Sequence, residues 1–132
     1  MKKKLFIRKT KAKGRGVFAN RFIIKDECIE ICPLLVLAAR DHETLIDSGL
    51  HDYLFHFDKE EGTLALVFGF GSLYNHAMRS NASYILDREN QRMSYYALED
   101  ISPGQEICIN YAGDPDSECR EWFISRGIPY RE

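Results

Sequence analysis

The segment "GSLYNHAMRSNASY" (71–84) decides how this chain of 132 residues is interpreted. It places Asn75, His76 and Asn81 beside two of the most apolar stretches of the sequence, 64–70 and 84–86. A polar side chain next to a core needs a hydrogen-bond partner, because an unpaired buried group costs about 1–3 kcal/mol. The segment is therefore either a turn that satisfies its own polar groups or part of a site in which a ligand helps to satisfy them.

The overall composition is that of an ordinary globular domain. Apolar residues make up 45% of the chain and charged residues 29%, and the length fits a single domain over residues 1–132. The formal charge of −2 speaks against general nucleic-acid binding, although the first fifteen residues are rich in lysine and arginine. No apolar run resembles a signal peptide or a membrane span. We therefore expect no membrane contact and a cytoplasmic location, or the nucleus of a host cell if the protein is viral or a secreted effector.

The pattern of side chains predicts a mainly β fold. Short strand-like segments separated by turns occur at 5–8, 16–20, 28–38, 53–57, 63–70, 82–87, 92–98 and 106–111. Pro33 predicts that 28–38 forms two short strands or an edge strand. Only 116–127 has the pattern of a helix, with Asp116 or Ser117 as its cap and Gly127 as its stop.

Three motifs separated along the chain carry a family resemblance. They are "GRGVFA" (14–19), "YNHAMRSNA" (74–82) and "SPGQEICINYAGD" (102–114). Each is weak alone, because a lone Gly-x-Gly usually marks a turn and an Asn-His pair occurs by chance. In this order and spacing they resemble the SET-domain protein-lysine methyltransferases, over about residues 14–114. The likeness is strongest to the minimal viral and bacterial SET proteins, which lack cysteine-rich flanking modules.

The resemblance implies both a fold and a reaction. The fold is a set of small curled β-sheets with a C-terminal pseudoknot, followed by a closing segment (115–132) that contains the short C-terminal helix. The reaction moves a methyl group from S-adenosylmethionine to a lysine ε-amine of a protein, with a histone as one candidate substrate. It needs no metal. The knot would bring 75–81 against the strand that ends at Tyr111, so that the polar residues of the opening segment form part of a site.

The resemblance also assigns roles to individual residues. Tyr111 is the catalytic residue, whose hydroxyl orients the amine and the methyl group. The residues expected to contact the methyl donor are Gly14, Arg15, Gly16, Tyr53, Asn75, His76 and Trp122, and those expected to line the lysine channel are Phe55, Phe57, Tyr84 and Ile109. Several of them also have a purely structural interpretation: core packing for Tyr111 and the two phenylalanines, a structural hydrogen bond for His76, a turn for the glycines, and anchoring of the C-terminal helix for Trp122.

Several positions depart from the family pattern. The usual Asn-His-Ser-Cys-x-Pro-Asn motif has Ala77, Met78 and Ser80 in place of its serine, cysteine and proline. Ile109 stands where Phe or Tyr is frequent, and Tyr84 is a candidate to fill that space. A tyrosine usual on an early strand is replaced by Ile31. These changes leave the degree of methylation open. Ala77 also leaves open the alternative of a weakly active enzyme.

The cysteines speak against a structural zinc ion. Cys28, Cys32, Cys108 and Cys119 form no Cys-x-x-Cys pair. In larger relatives the motif cysteine joins three from the C-terminal tail to bind zinc, but here Met78 replaces the first and only Cys119 follows Tyr111. We therefore predict that residues 115–132 close the site by packing, and that the cysteines are mostly buried apolar residues with one surface thiol.

Two other functions compete with the enzyme. One is a SET-like module that binds a lysine-containing peptide without turnover, and the other is a small β-rich RNA-binding protein that uses the basic N-terminus. Retention of Tyr111 together with Asn75 and His76 favours the enzyme over the first, and the negative net charge favours it over the second. Small relatives without flanking modules also suggest a homodimer.

Overall fold

The computed structural model describes residues 3–111, and their fold is mainly β, as predicted. The strands of this part of the chain are β1 (Leu5–Lys9), β2 (Arg15–Ala19), β3 (Cys28–Leu37), β4 (Phe55–Asp58), β5 (Thr63–Val67), β6 (Asn75–His76), β7 (Ala82–Asp87), β8 (Arg92–Ala97) and β9 (Glu106–Ile109). The predicted helix at 116–127, the closing segment with Trp122 and Cys119, and the threading of a C-terminal knot lie outside the described residues.

A small sheet with the strand order β1-β2-β9-β6 carries the motif segments. Its first three strands are antiparallel, whereas β6 runs parallel to β9. In that parallel pair Asn75 lies opposite Cys108 and His76 lies opposite Ile109. The first part of segment 75–81 is therefore hydrogen-bonded to the strand that leads to Tyr111, which is the juxtaposition that the resemblance implied.

A second sheet is antiparallel throughout, with the strand order β4-β5-β3-β8-β7. The expectation that Pro33 would split 28–38 or place it at an edge is wrong, because β3 is one continuous strand inside this sheet. The strand changes partner at the proline: residues 28–33 pair with β8, and residues 34–37 pair with β5. The missing N–H of Pro33 falls where the ladder to β5 begins, and its carbonyl still accepts the Phe68 N–H at 3.0 Å.

Short helical turns connect β3 to β4 in the second sheet. Residues Ala39–Asp41 and His51–Tyr53 form 3₁₀ turns, and a four-residue helix, α1, spans His42–Leu45. The sequence did not predict α1, and it placed Tyr53 at the start of a strand that begins only at Phe55. Within the described part of the chain, no helix is long and apolar enough to span a membrane.

One continuous hydrophobic core underlies both sheets. Its largest fully buried side chains are Tyr74, Tyr95, Ile23, Met93, Ile101, Ile107, Ile109, Val17 and Cys32. Two of them are tyrosines, whose hydroxyls require a partner when buried. Tyr74 immediately precedes Asn75 and His76 in the sequence. The core therefore reaches the start of β6.

Candidate active site

Tyr111 is attached at two points to the segment 74–76. Its hydroxyl donates to the Tyr74 carbonyl at 2.8 Å, and its backbone N–H donates to Nδ1 of His76 at 3.2 Å. The ring also packs against the imidazole, with the two centroids 5.3 Å apart. Three contacts therefore fix both the backbone and the phenol of the predicted catalytic residue, although Tyr111 lies beyond the end of β9.

His76 is a buried, neutral histidine. Burial lowers the pKa of its imidazole to about 4, with a smaller contribution from the positive charge of Lys13. A neutral ring can accept the Tyr111 N–H at Nδ1, and this hydrogen bond assigns the ring proton to Nε2. The Lys13 ammonium is close because it donates to the His76 carbonyl at 2.8 Å. Lys13 was not singled out from the sequence, since this contact joins residues 63 positions apart.

Asn75 is part of a polar cluster with Glu106 and the start of β2. Its Nδ2 donates to Oε2 of Glu106 at 2.8 Å and to the Arg15 carbonyl at 3.2 Å. A Cβ at Gly16 would lie 2.8 Å from that nitrogen and closer still to the Glu106 carboxylate. The missing Cβ of Gly16 therefore makes room for the protein's own side chains, whereas the family resemblance implied room for the methyl donor. Gly14 has φ +69°, and the space around it is open.

A pocket of about 330 Å³ opens beside Tyr111. Four of the predicted site residues line it, namely Tyr53, Phe55, Tyr84 and Tyr111, together with Asp52, Leu54, His56, Lys59, Ser72, Tyr74, Leu86 and Met93. Phe55 and Tyr84 meet edge to face with centroids 5.4 Å apart, and burial raises the pKa of Tyr84, which keeps its phenol neutral. The pocket thus joins the predicted catalytic residue to two predicted channel residues and one predicted donor contact.

Two predicted channel residues do not line this pocket. Ile109 is fully buried in the core and lies opposite His76 in the parallel strand pair, and Phe57 is half-buried and packs on the core. Core packing, the structural interpretation considered for Phe57, accounts for its position. Ile31, the other departure on an early strand, is exposed and also lies outside the pocket.

Asn81 is a buried polar residue that makes its hydrogen bonds within the protein. Its Nδ2 donates to the Glu106 carbonyl at 2.8 Å, and its Oδ1 accepts the Cys108 N–H at 2.9 Å. The buried side-chain amide thus continues the hydrogen-bond ladder along β9. Asn81 is a structural residue whose polar groups are satisfied, while Asn75 and His76 lie on β6 at the candidate site.

The cysteines of the described residues are not arranged for metal binding. Cys28 is exposed and Cys32 is buried, as expected for one surface thiol and a buried apolar residue. Burial raises the pKa of Cys32 and Cys108 to about 12, so both remain protonated thiols. Residues 3–111 contain no group of three or more His, Cys, Asp or Glu side chains that could hold a metal ion.

Comparison with known proteins agrees with the motifs. Residues 14–112 match the SET domain family model, and the chain belongs to that family, whose members include protein-lysine methyltransferases. It is 38% identical over 108 residues to a histone-lysine N-methyltransferase of Schizosaccharomyces pombe that is specific for H3 lysine-37. That match covers 81% of this chain and 72% of the yeast protein.

Solved structures show the same fold. A Plasmodium falciparum protein described as a histone methyltransferase superposes with a TM-score of 0.68 at 34% identity, over 84% of this chain and 95% of that one. The Polycomb Repressive Complex 2 of Chaetomium thermophilum, in an autoinhibited conformation bound to S-adenosylmethionine, superposes with a TM-score of 0.68 at 22% identity. It covers 96% of this chain but 17% of the matched one, and at that identity it shows the fold alone.

Proposed function

We propose that this chain is an S-adenosylmethionine-dependent protein-lysine methyltransferase with Tyr111 at its reacting centre. The observation that carries the proposal is the position of Tyr111, which lines a pocket with several aromatic side chains and donates its backbone N–H to His76 on β6. One residue thereby connects the two parts that such a reaction needs. These are a place for the methyl donor and a channel for the amine.

The residues around Asn75 fit the charged amino-acid part of the donor. The cluster offers the carboxylate of Glu106, the amide of Asn75 and the ammonium of Lys13, the last on the carbonyl of the adjacent His76. These are the acceptor and donor types that complement an ammonium and a carboxylate. When bound, S-adenosylmethionine supplies a methyl group on a sulfonium, which an amine nitrogen can displace. The donor would be held by Gly14, Gly16, Asn75 and His76. Tyr53, which lines the pocket, would contact it from that side.

The pocket provides the environment for a lysine side chain. Phe55 and Tyr84 present aromatic surface to the aliphatic stem of a lysine, and such rings also favour a cationic head group before it loses its proton. Because the Tyr111 proton is donated to the Tyr74 carbonyl, the phenol oxygen acts as an acceptor towards an amine N–H. Tyr111 thereby orients the nitrogen lone pair, and orientation is the main contribution that the protein makes to this displacement.

A histone lysine is the substrate that we propose. The support is the 38% identity to a yeast enzyme named for lysine-37 of histone H3, over most of both chains. The homodimer, suggested by the family resemblance, and the cytoplasmic or host-nuclear location, suggested by the sequence pattern, stay predictions.

Calorimetric titration with S-adenosylmethionine, followed by a tritiated-methyl assay on histones, tests the proposal. We expect donor binding and transfer of label to lysine. Donor binding without any transfer would instead support the peptide-binding module. Binding of single-stranded RNA without binding of the donor would support the RNA-binding protein.

A further inference from the structure

Glu30, on β3, accepts hydrogen bonds from two residues of the chain segment that leads into the candidate site. Its Oε1 accepts the hydroxyl of Tyr74 at 2.8 Å, and its Oε2 accepts the backbone N–H of Phe70 at 3.0 Å. A side chain at Gly69, which has φ +66°, would run into the same carboxylate. Both oxygens of Glu30 are therefore used by the loop that leads from β5 to Tyr74.

The ring of Tyr74 has little freedom to move. The residue is 1% exposed, and its ring stacks on Tyr95 with centroids 4.5 Å apart. Tyr95 is anchored in turn by its hydroxyl, which donates to the Gly71 carbonyl at 2.8 Å. Glu30 thus fixes the polar end of Tyr74, while Tyr95 fixes its face.

We propose that Glu30 is a positioning residue for methyl transfer, acting through Tyr74 on the hydroxyl of Tyr111. The link is the Tyr74 carbonyl, which belongs to the residue that Glu30 holds and accepts the Tyr111 hydroxyl at 2.8 Å. This inference rests on the proposed function, because it gives Glu30 a role only if the Tyr111 hydroxyl acts on the amine.

The energetics favour a carboxylate at this position. Hydrogen bonds to an ionised acceptor are about twice as strong as neutral ones, so Glu30 restrains the Tyr74 side chain more firmly than an amide would. A reacting group displaced by 1 Å can lose about 10²-fold in rate. Loss of the bond to Glu30 should lower the rate of methyl transfer by less than that, because Tyr74 still stacks on Tyr95. We expect the rate to fall about tenfold.

A double-mutant cycle tests the inference. Glu30→Gln and Tyr74→Phe are each measured in the wild-type and in the Tyr111→Phe background, by single-turnover methyl transfer at saturating S-adenosylmethionine. We expect each change to slow transfer about tenfold in the wild-type background and less than twofold in the Tyr111→Phe background, where no hydroxyl is left to position. In each background, Glu30→Gln and Tyr74→Phe should leave the donor affinity, measured by calorimetry, within about twofold of the parent protein, since neither side chain belongs to the Asn75 cluster.

The controls separate positioning from a general effect on the fold. Glu27→Gln removes a carboxylate three positions earlier in the chain that pairs with Arg21 and Lys4, and it should leave the rate within about twofold of wild type. Tyr74→Phe keeps the stacked ring and carries the test if Glu30→Gln does not fold. Equal fold-losses in both backgrounds would overturn the role of Glu30, even with an active wild-type enzyme. A wild-type protein that binds donor but transfers no methyl group would overturn the proposed function itself.

Discussion

The hydroxyl of Tyr111 donates a 2.8 Å hydrogen bond to the carbonyl of Tyr74, and both residues line the pocket. The donor and the acceptor lie 37 positions apart in the sequence, and they meet because β6 pairs with β9 in parallel. This bond determines where the phenol proton points. It therefore determines which side of the oxygen faces a substrate.

Replacement of Tyr111 by phenylalanine should separate binding from chemistry. The ring, its packing on His76 and the backbone bond remain, so donor affinity should stay within a few-fold of wild type. Loss of one interaction at the reacting centre typically lowers the rate about 10²–10³-fold, which a single-turnover assay can measure. Tyr96→Phe, the same chemical change on β8 outside the pocket, should have no effect. Equal rates for Tyr111→Phe and wild type would remove Tyr111 from the mechanism.

The rate of methyl transfer should rise with pH. Free lysine has a pKa of about 10.4, so only about 0.1% of it is neutral at pH 7.4, and the neutral amine is the nucleophile. We expect the single-turnover rate to climb from pH 7 towards pH 9, with circular dichroism confirming that the protein remains folded. A flat profile over this range would contradict attack by a lysine amine in the rate-limiting step.

Protonation of His76 should destabilise the folded protein in mild acid. A histidine in the unfolded chain has a pKa of about 6.5, whereas burial and then the Lys13 charge lower the pKa of His76 to about 4. Between these values the unfolded chain binds more protons, so the stability that depends on neutral His76 is complete above pH 6.5 and is lost as the pH falls to 4.

Urea unfolding of wild type and His76→Gln at several pH values measures this contribution. Both proteins carry the same carboxylates, so the difference in their free energies of unfolding isolates the histidine. We expect wild type to lose stability relative to His76→Gln from pH 7 to pH 4.5. A difference that does not vary with pH would show that His76 has an ordinary pKa in the folded state.

The sequence predicted the strands well because their side chains carry a local signal. Alternating apolar residues and turn residues predicted segments such as 5–8 and 82–87 nearly as the structure has them. It failed at Pro33, where the pattern shows a missing donor but not the partner exchange that accommodates it. Helix α1 was missed because four residues are too short to show a period of 3.6.

The candidate site was predicted only as far as side-chain identity reveals it. The motifs indicated Asn75, His76 and Tyr111, which the structure brings together. The importance of Tyr74 was missed because it acts on Tyr111 through a backbone carbonyl, which every residue type has. Glu30 and Lys13 were missed because their contacts span 44 and 63 positions. An acidic residue in the otherwise apolar start of β3 was the available signal for Glu30.

Asn81→Ala should weaken the attachment of β9. The change removes the partners of the Glu106 carbonyl and the Cys108 N–H at a buried position. With about 1–2 kcal/mol for each bond lost, the free energy of unfolding should fall by about 2–4 kcal/mol in urea titrations. Asn90→Ala, in the exposed turn between β7 and β8, loses one surface hydrogen bond and should cost less than about 1 kcal/mol. Similar losses for the two variants would contradict the structural role of Asn81.

Gly16→Ala should damage the proposed donor site without touching the pocket. The added Cβ would lie 2.8 Å from Nδ2 of Asn75 and against the Glu106 carboxylate, so the hydrogen bond between these two side chains must give way. We expect the affinity for S-adenosylmethionine to fall about tenfold, the equivalent of one charge-assisted hydrogen bond, and stability to fall by about 1–3 kcal/mol. Gly49→Ala is the matched control, because a Cβ there meets nothing within 4 Å, and it should change neither quantity. Calorimetry and urea unfolding measure both variants. Wild-type donor affinity in Gly16→Ala would place the donor away from the Asn75–Glu106 pair, even if the protein transfers methyl groups.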